Sequence, residues 1–338
     1  MKPARSASTT TTKSRNARMT ELSRDELESM HSWEQSDEVP GRPGMTAFRR
    51  MVRLHQARWR ERHGHPIGTQ PLAPRPGQKS RPVGSHMPVD YARRVGANFV
   101  TKGALVAAKS RLSMIEPNQS IDHQRMWADL SWAPVIAFNL LGDLASDRRR
   151  ADSAIHKWWP SAPGRTQEIL FAHSPGWLDP AYLNSLRVFD AAVILDLPGG
   201  GQGVIAIDTK YGDWTKPETP RPDNLWRYEE VAKRSKIFRP GAVDRLKVRS
   251  GLAVMWLEHL LLLSMLQHPS GRWRWGLYVV MHPRGNSDFV EACARYSDLL
   301  RDSSTFASTT LEEVLDSAAL PRTTRTVLRE RYVPRARP

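Results

Sequence analysis

The period of the apolar positions changes several times along the chain, and each change marks an element. From Thr46 to Arg62, Phe48, Val52 and Trp59 recur at helical spacing with arginines on the other faces, which predicts a helix. His65 to Pro88 is rich in Pro and Gly and reads as loop, whereas Asn98 to Ala108 leaves strand and helix both open. Ser131 is the expected N-cap, with Pro134 in the first turn, of a helix running to about Ser146 that carries Val135, Phe138, Leu141 and Leu144 on one face. Glu168 to Phe171 reads as a strand. Val188 to Leu195 and Val204 to Ile207 are rich in β-branched residues, and Pro198-Gly199-Gly200-Gly201 between them is turn chemistry, so an antiparallel hairpin is predicted. A polar connector, Tyr211 to Asp244, precedes a helix from about Leu246 to Gln267 and a strand from Trp273 to Met281, closed by His282-Pro-Arg-Gly285. Asp288 to Leu300 then reads as a helix with Phe289, Cys293, Tyr296 and Leu300 inward, and Thr310-Leu-Glu-Glu313 as a capping box.

Composition changes this picture mainly at the N-terminal end. The 338 residues are long enough for a good core, but residues 1 to 40 are poor in apolar side chains, carry a Ser/Thr run at 8 to 12 and an acidic patch from Glu21 to Glu38, and are expected to be disordered apart from a short helix. Of the formal net charge of +15, about +13 lies in residues 42 to 111, where fifteen Lys or Arg stand against Glu61 and Asp90 alone. A polyanion is the partner such a segment suggests, and Arg49, Arg50 and Arg53 on the first long helix are expected to follow a phosphate backbone. Lys233, Arg234 and Lys236 in the connector are further candidates for phosphate contacts. The one cysteine, Cys293, excludes an internal disulfide framework and a Cys-based zinc site, which fits a reducing, cytoplasmic setting. No apolar run is long enough for a membrane span, because Glu258 and His259 interrupt Gly251 to Leu266. Four regions result: a disordered tail (1–44), a basic Arg-rich region (45–125), an α/β core (126–285) and a C-terminal helical extension (286–338).

The hairpin carries charges that apolar patterning would not place there. With the turn centred near Gly199 and Gly200, Asp190 falls almost opposite Asp208, and cross-strand side chains lie roughly 5 to 8 Å apart. Lys210 follows Asp208 by two residues and so shares its strand face. Two carboxylates and one ammonium are expected to converge, the alternative being a solvated pair of hairpin-end acids or a plain salt bridge. Gly199 to Gly203 is not a phosphate loop, since no Lys-Ser/Thr follows it and it leads into a strand.

Asp190 followed by Asp208-Thr-Lys210 resembles the D…(D/E)-x-K signature of the PD-(D/E)XK nuclease superfamily. Phe171-Ala-His-Ser-Pro-Gly176, Phe189-Asp-Ala-Ala192, Ile207-Asp-Thr-Lys-Tyr211 and Trp256-Leu-Glu-His-Leu-Leu261 resemble, in order and spacing, a bacterial restriction-endonuclease-like group, over roughly residues 45 to 320. The resemblance implies a restriction-endonuclease-like α-β-β-β-α-β core, a mixed sheet flanked by helices with helical N- and C-terminal additions, and the helix-strand order read above agrees. It implies a nuclease acting on DNA, with Mg²⁺ (or Mn²⁺) held by Asp190, Asp208 and the Thr209 carbonyl, and Lys210 orienting the attacking water. It leaves the oligomeric state open, a dimer included. Two positions depart from the group: Ala172 stands where a Glu is usual and Leu257 where an Arg is. Loss of that outer ligand leaves a nucleic-acid-binding protein without cleavage as the alternative. Glu168 and His173 on the first strand, and Glu258 and His259 on the later helix, are further candidate ligands or bases. Each also has a plain structural reading, a solvated strand start for Glu168 and hydrogen-bonded packing for the others.

Overall fold

The computed structural model describes residues 22–114, 118–119 and 121–334. Its N-terminal part is mostly helical: α1 (Arg24–Ser29), α2 (Pro43–Arg62), a ribbon of β1 (Gly68–Gln70) and β2 (Arg81–Val83), then α3 (Val89–Val95), α4 (Lys102–Ser113), α5 (His123–Ala128), α6 (Pro134–Ala145) and α7 (Arg148–Trp158). The remainder alternates: β3 (Arg165–His173), β4 (Phe189–Asp196), β5 (Gln202–Thr209), α8 (Leu225–Ser235), α9 (Ala242–Leu246), α10 (Ala253–Leu266), β6 (Trp273–His282), α11 (Ser287–Asp298), β7 (Phe306–Thr310), α12 (Leu311–Asp316) and α13 (Arg322–Tyr332).

Among the described residues β3 to β7 form one sheet in the order β3-β4-β5-β6-β7, antiparallel through β5 and parallel from β5 to β7. It is the mixed, helix-flanked sheet of a restriction-endonuclease-like fold. A parallel pair needs a long crossover. The stretch predicted as a polar connector supplies it, because α8 and α10 pack together over one face of the sheet. That stretch looked polar because only one side of α8 is apolar: Tyr228, Val231 and Ala232 are buried while Lys233 and Arg234 face solvent. Both faces of β5 are covered, which is why Gly203 to Ile207 is an unbroken small and apolar run rather than an alternating one. Ala191, Val193, Ile205, Ile207 and Val279 meet α2, α4, α6 and α7 on one side. Ala192, Ile194, Val204, Ala206 and Tyr278 meet α8, α10 and α11 on the other.

Several boundaries differ from expectation. The disordered reading of residues 1–21 lies outside the described residues, but residues 22–44 are folded: Leu27, Asp37 and Val39 are buried, and Ser23 caps α1. Within the acidic patch Glu26, Glu34 and Asp37 pair with Arg58, Arg81 and Arg53, which lie downstream in the sequence. Ser131 is not the cap of α6; its amide and hydroxyl donate to Asp129, at 2.9 and 2.6 Å, and the helix starts at Pro134 without a side-chain cap. Asn98 to Ala108 resolves into the start of α4, capped by Thr101, whose hydroxyl accepts from the Ala104 amide. The His65 to Pro88 loop contains the β1–β2 ribbon, α10 begins at Ala253 rather than near Leu246, and β7 was not anticipated. The Thr310 capping box is present as read, with Glu313 as its acid.

The basic region, the α/β core and the C-terminal extension share one hydrophobic cluster, from Met45 and Phe48 through Ile207 to Leu328 and Tyr332. Its polar fastening runs beneath the end of β5. Gln56 Nε2 lies 2.5 Å from the Tyr211 hydroxyl and 2.9 Å from the Arg331 carbonyl, and the fully buried Arg331 guanidinium donates to Asn98 Oδ1 and the Leu130 carbonyl. Asn139 Nδ2 donates to the Tyr332 hydroxyl.

Candidate active site

The hairpin register decides which side chains meet. Asp196 pairs with Gln202 and Ala191 with Ile207, so the next pair along sets Asp190 against Asp208. On the other side Phe171 pairs with Ala191 and His173 with Phe189, so Ala172 falls across from Asp190. Asp208 in turn is level with Val280 of β6. A single row thus crosses the sheet through positions 172, 190, 208 and 280.

Lys210 Nζ lies 2.6 Å from Asp208 Oδ2, and one Asp190 oxygen accepts from the Thr209 amide at 2.7 Å and lies 2.6 Å from its hydroxyl. Behind the row stands Tyr278, fully buried on β6, with its hydroxyl 2.9 Å from Glu258 Oε2 and 3.2 Å from Asp208 Oδ2. Glu258 reaches this point from α10. A phenol has one proton to donate, so it serves one carboxyl and can accept from the other only if that one is protonated.

Electrostatics separate the acids. Burial, with the adjacent Asp208 charge, pushes the Asp190 carboxyl up to about 7. Burial acts to raise Asp208 too, but the Lys210 ammonium and the surrounding hydrogen bonds hold it below the ordinary carboxylate range. Burial and then the charge on Asp208 drive Glu258 well above the usual value. Lys210 is held above the ordinary lysine value, because Asp208, Glu258 and Asp190 outweigh the burial that opposes its charge. A cluster with one ammonium and three closely spaced acids therefore favours retaining protons unless more positive charge is supplied. Oxygen donors in that condition suit a hard divalent cation, and Mg²⁺ typically takes one or two carboxylates and keeps several waters.

The other candidates lie elsewhere. Glu168 is exposed at a bulge of β3 opposite Ile194, four residues before the row, and is not part of the cluster. His173 ends β3 opposite Phe189, one pair beyond it. His259 is buried between the Tyr296 and Thr305 hydroxyls, 2.9 Å from each, and burial lowers its imidazole to about 3, so it packs as a neutral structural group. The three candidate arginines of α2, Arg49, Arg50 and Arg53, are engaged within the chain rather than presented as a phosphate-binding row. Arg53 forks onto the buried Asp37 at 2.6 and 2.8 Å, Arg49 donates to the carbonyls of Gly212 and Ser36, and Arg50 lies over the Trp33 ring at 4.1 Å. Lys233, Arg234 and Lys236 are exposed at the end of α8, with Glu230 3.7 Å from Arg234.

Tyr278 was missed by sequence reasoning, where it was one more residue of an apolar strand. Only the β5–β6 register, which puts it on the Asp208 face, marks it. Ala172 carries no acid and has a left-handed backbone, φ 44°, with its carbonyl and that of Phe171 held by the Arg111 guanidinium. Leu257, on α10, is buried in the apolar cluster that α10 forms with the sheet.

A family model described as the PD-(D/E)XK nuclease superfamily matches residues 43–334. The chain belongs to the PD-(D/E)XK nuclease superfamily. No curated protein and no solved structure matches it significantly. The match to this nuclease superfamily begins with α2 and ends just after α13, so it covers the helical additions as well as the sheet.

Proposed function

We propose that the protein hydrolyses phosphodiester bonds of DNA, using a divalent cation, Mg²⁺ or Mn²⁺, held by Asp190 and Asp208 with the Thr209 carbonyl. The observation that carries the reading is the meeting of Asp190, Asp208 and Lys210 at the end of the central hairpin, in a chain of this superfamily. The cation when bound supplies positive charge to the phosphate oxygens and lowers the pKa of a coordinated water. The chain's own residues do the rest. Thr209 fixes one Asp190 oxygen through its amide and hydroxyl, which aims the other. Lys210, held charged by its acidic neighbours, orients the attacking water and stabilises negative charge as it develops on phosphate. Tyr278 and Glu258 fix Asp208 from behind.

Plasmid DNA incubated with Mg²⁺, and again with EDTA, tests the reading. Metal-dependent nicking or linearisation is expected, and Asp208→Asn should reduce it by at least about 100-fold in a variant that circular dichroism shows to be folded. Cleavage unaffected by that substitution would refute the site. A gel shift without cleavage by the parent protein would favour DNA binding without hydrolysis, the reading that the missing acid at Ala172 supports.

A further inference from the structure

Beside the acids the chain builds a cavity that phosphodiester hydrolysis alone does not require. It measures about 360 Å³, opens next to Asp208 and Lys210, and is walled by Trp214, Pro217, Val254, Met255 and Phe289. Its size is at the lower end of small-ligand pockets, which run to roughly 300 to 1,000 Å³. A phosphate gains nothing from such walls, since moving a charged oxyanion from water to apolar side chains is costly. A planar, largely apolar group with polar edges fits them, and Thr215, Lys216 and Glu218 at the cavity supply polar partners.

The slot is also held in shape. Trp214 packs against the larger core cluster, and the Arg42 guanidinium lies 5.8 Å from its ring. The segment bearing it is tied down at several points: Asn286 Nδ2 donates to the Tyr211 and Asp213 carbonyls, and the buried Asp288 accepts from the Thr215 amide and from Arg42. Gly251 approaches the Thr215 carbonyl so closely that an added Cβ would lie 2.7 Å from it. The exposed Lys216 stands at the lip, where a neighbouring phosphate would pass.

We propose that this slot receives an unpaired nucleobase adjacent to the scissile phosphate, stacked on Trp214. The inference rests on the phosphodiesterase reading of the acid cluster and narrows its substrate to DNA that is single-stranded, or opened by a mismatch or bulge, at the point of cleavage. In a continuous duplex the bases are stacked inward, and a nucleotide can reach such a slot only by leaving the stack. Stacking of a base on an aromatic side chain tolerates any sequence.

The test compares kcat/KM on oligonucleotides of one sequence presented as a single strand, as a duplex with a one-nucleotide bulge, and as a continuous duplex. The parent protein should prefer the first two by about 10-fold or more. Trp214→Ala should collapse that preference, Trp214→Phe should restore most of it, and Val254→Phe, which fills the slot from α10, should lower it without emptying the core. Filter binding of single-stranded and duplex oligonucleotides in EDTA gives a second readout independent of cleavage. If nothing is cleaved but single-strand binding still depends on Trp214, the hydrolytic reading fails and the slot stands. Equal handling of duplex and single strand by the parent, or a preference unchanged in folded Trp214→Ala and Val254→Phe, would overturn the slot.

Discussion

Two carboxylates facing each other across a hairpin cannot both be ionised cheaply in a buried setting, and here the cost falls on Asp190. Its folded pKa of about 7 lies above the ordinary value of 3.8. The folded state therefore holds that proton more tightly than the unfolded chain does. The resulting stability is fully present below the unfolded pKa and is lost as pH rises through about 7. Bound cation should reverse the trend, because ligation requires the ionised form. The Mg²⁺- or Mn²⁺-induced rise in melting temperature is thus expected to be larger at pH 8 than at pH 6, as a thermal-shift titration at both pH values would show. An equal rise at both would mean that Asp190 is already ionised at pH 6. At this scale the site was largely legible: the acids and Lys210 stand out because each interrupts an apolar strand. Glu258 and Tyr278 were not, since one sits in a leucine-rich helix and the other in an aromatic strand. Their meeting with Asp208 depends on a crossover that local sequence does not specify.

Helix α2 shows how an element can be read correctly and its surface misread. Its buried stripe is where the spacing predicts, yet Arg49, Arg50, Arg53 and Arg58 engage the N-terminal segment. Arg53 is 13% exposed and its partner Asp37 only 2%. Removing one partner of such a pair strands a buried charge, a loss of roughly 3 to 5 kcal/mol. Arg53→Met leaves Asp37 with Arg49 alone, 3.5 Å away, and should lower the unfolding free energy from urea titration by up to that much, read as a lower midpoint at an unchanged m-value; a loss below about 1 kcal/mol would show the pair to be dispensable. Composition alone hid this arrangement, because an acidic stretch of residues 22–44 and a basic helix look like a solvated tail and a DNA-binding face until they are seen to pair. The same holds for α8, whose apolar stripe was masked by the charges between its members.

For the whole molecule, engaged arginines on α2 leave the rest of the +15 charge to be met by solvent or by a polyanion elsewhere. The exposed Lys233, Arg234 and Lys236 at the end of α8 are one such place. Affinity for DNA should fall steeply with salt, with a slope of log K on log salt of about −0.9 per phosphate contact on duplex. Changing all three to Gln is expected to make that slope shallower by about two to three units with no loss of fold, measured by anisotropy at several salt concentrations. An unchanged slope would take this edge out of the DNA path. The architecture has one further consequence, through the ledge beneath β5 where Gln56, Tyr211 and Arg331 meet. Tyr211 directly follows Lys210, and the carbonyl of residue 331 helps to seat it. During synthesis the acids and the lysine emerge long before residue 331 does. The candidate site therefore leaves the ribosome before the helix that helps to seat it has been made.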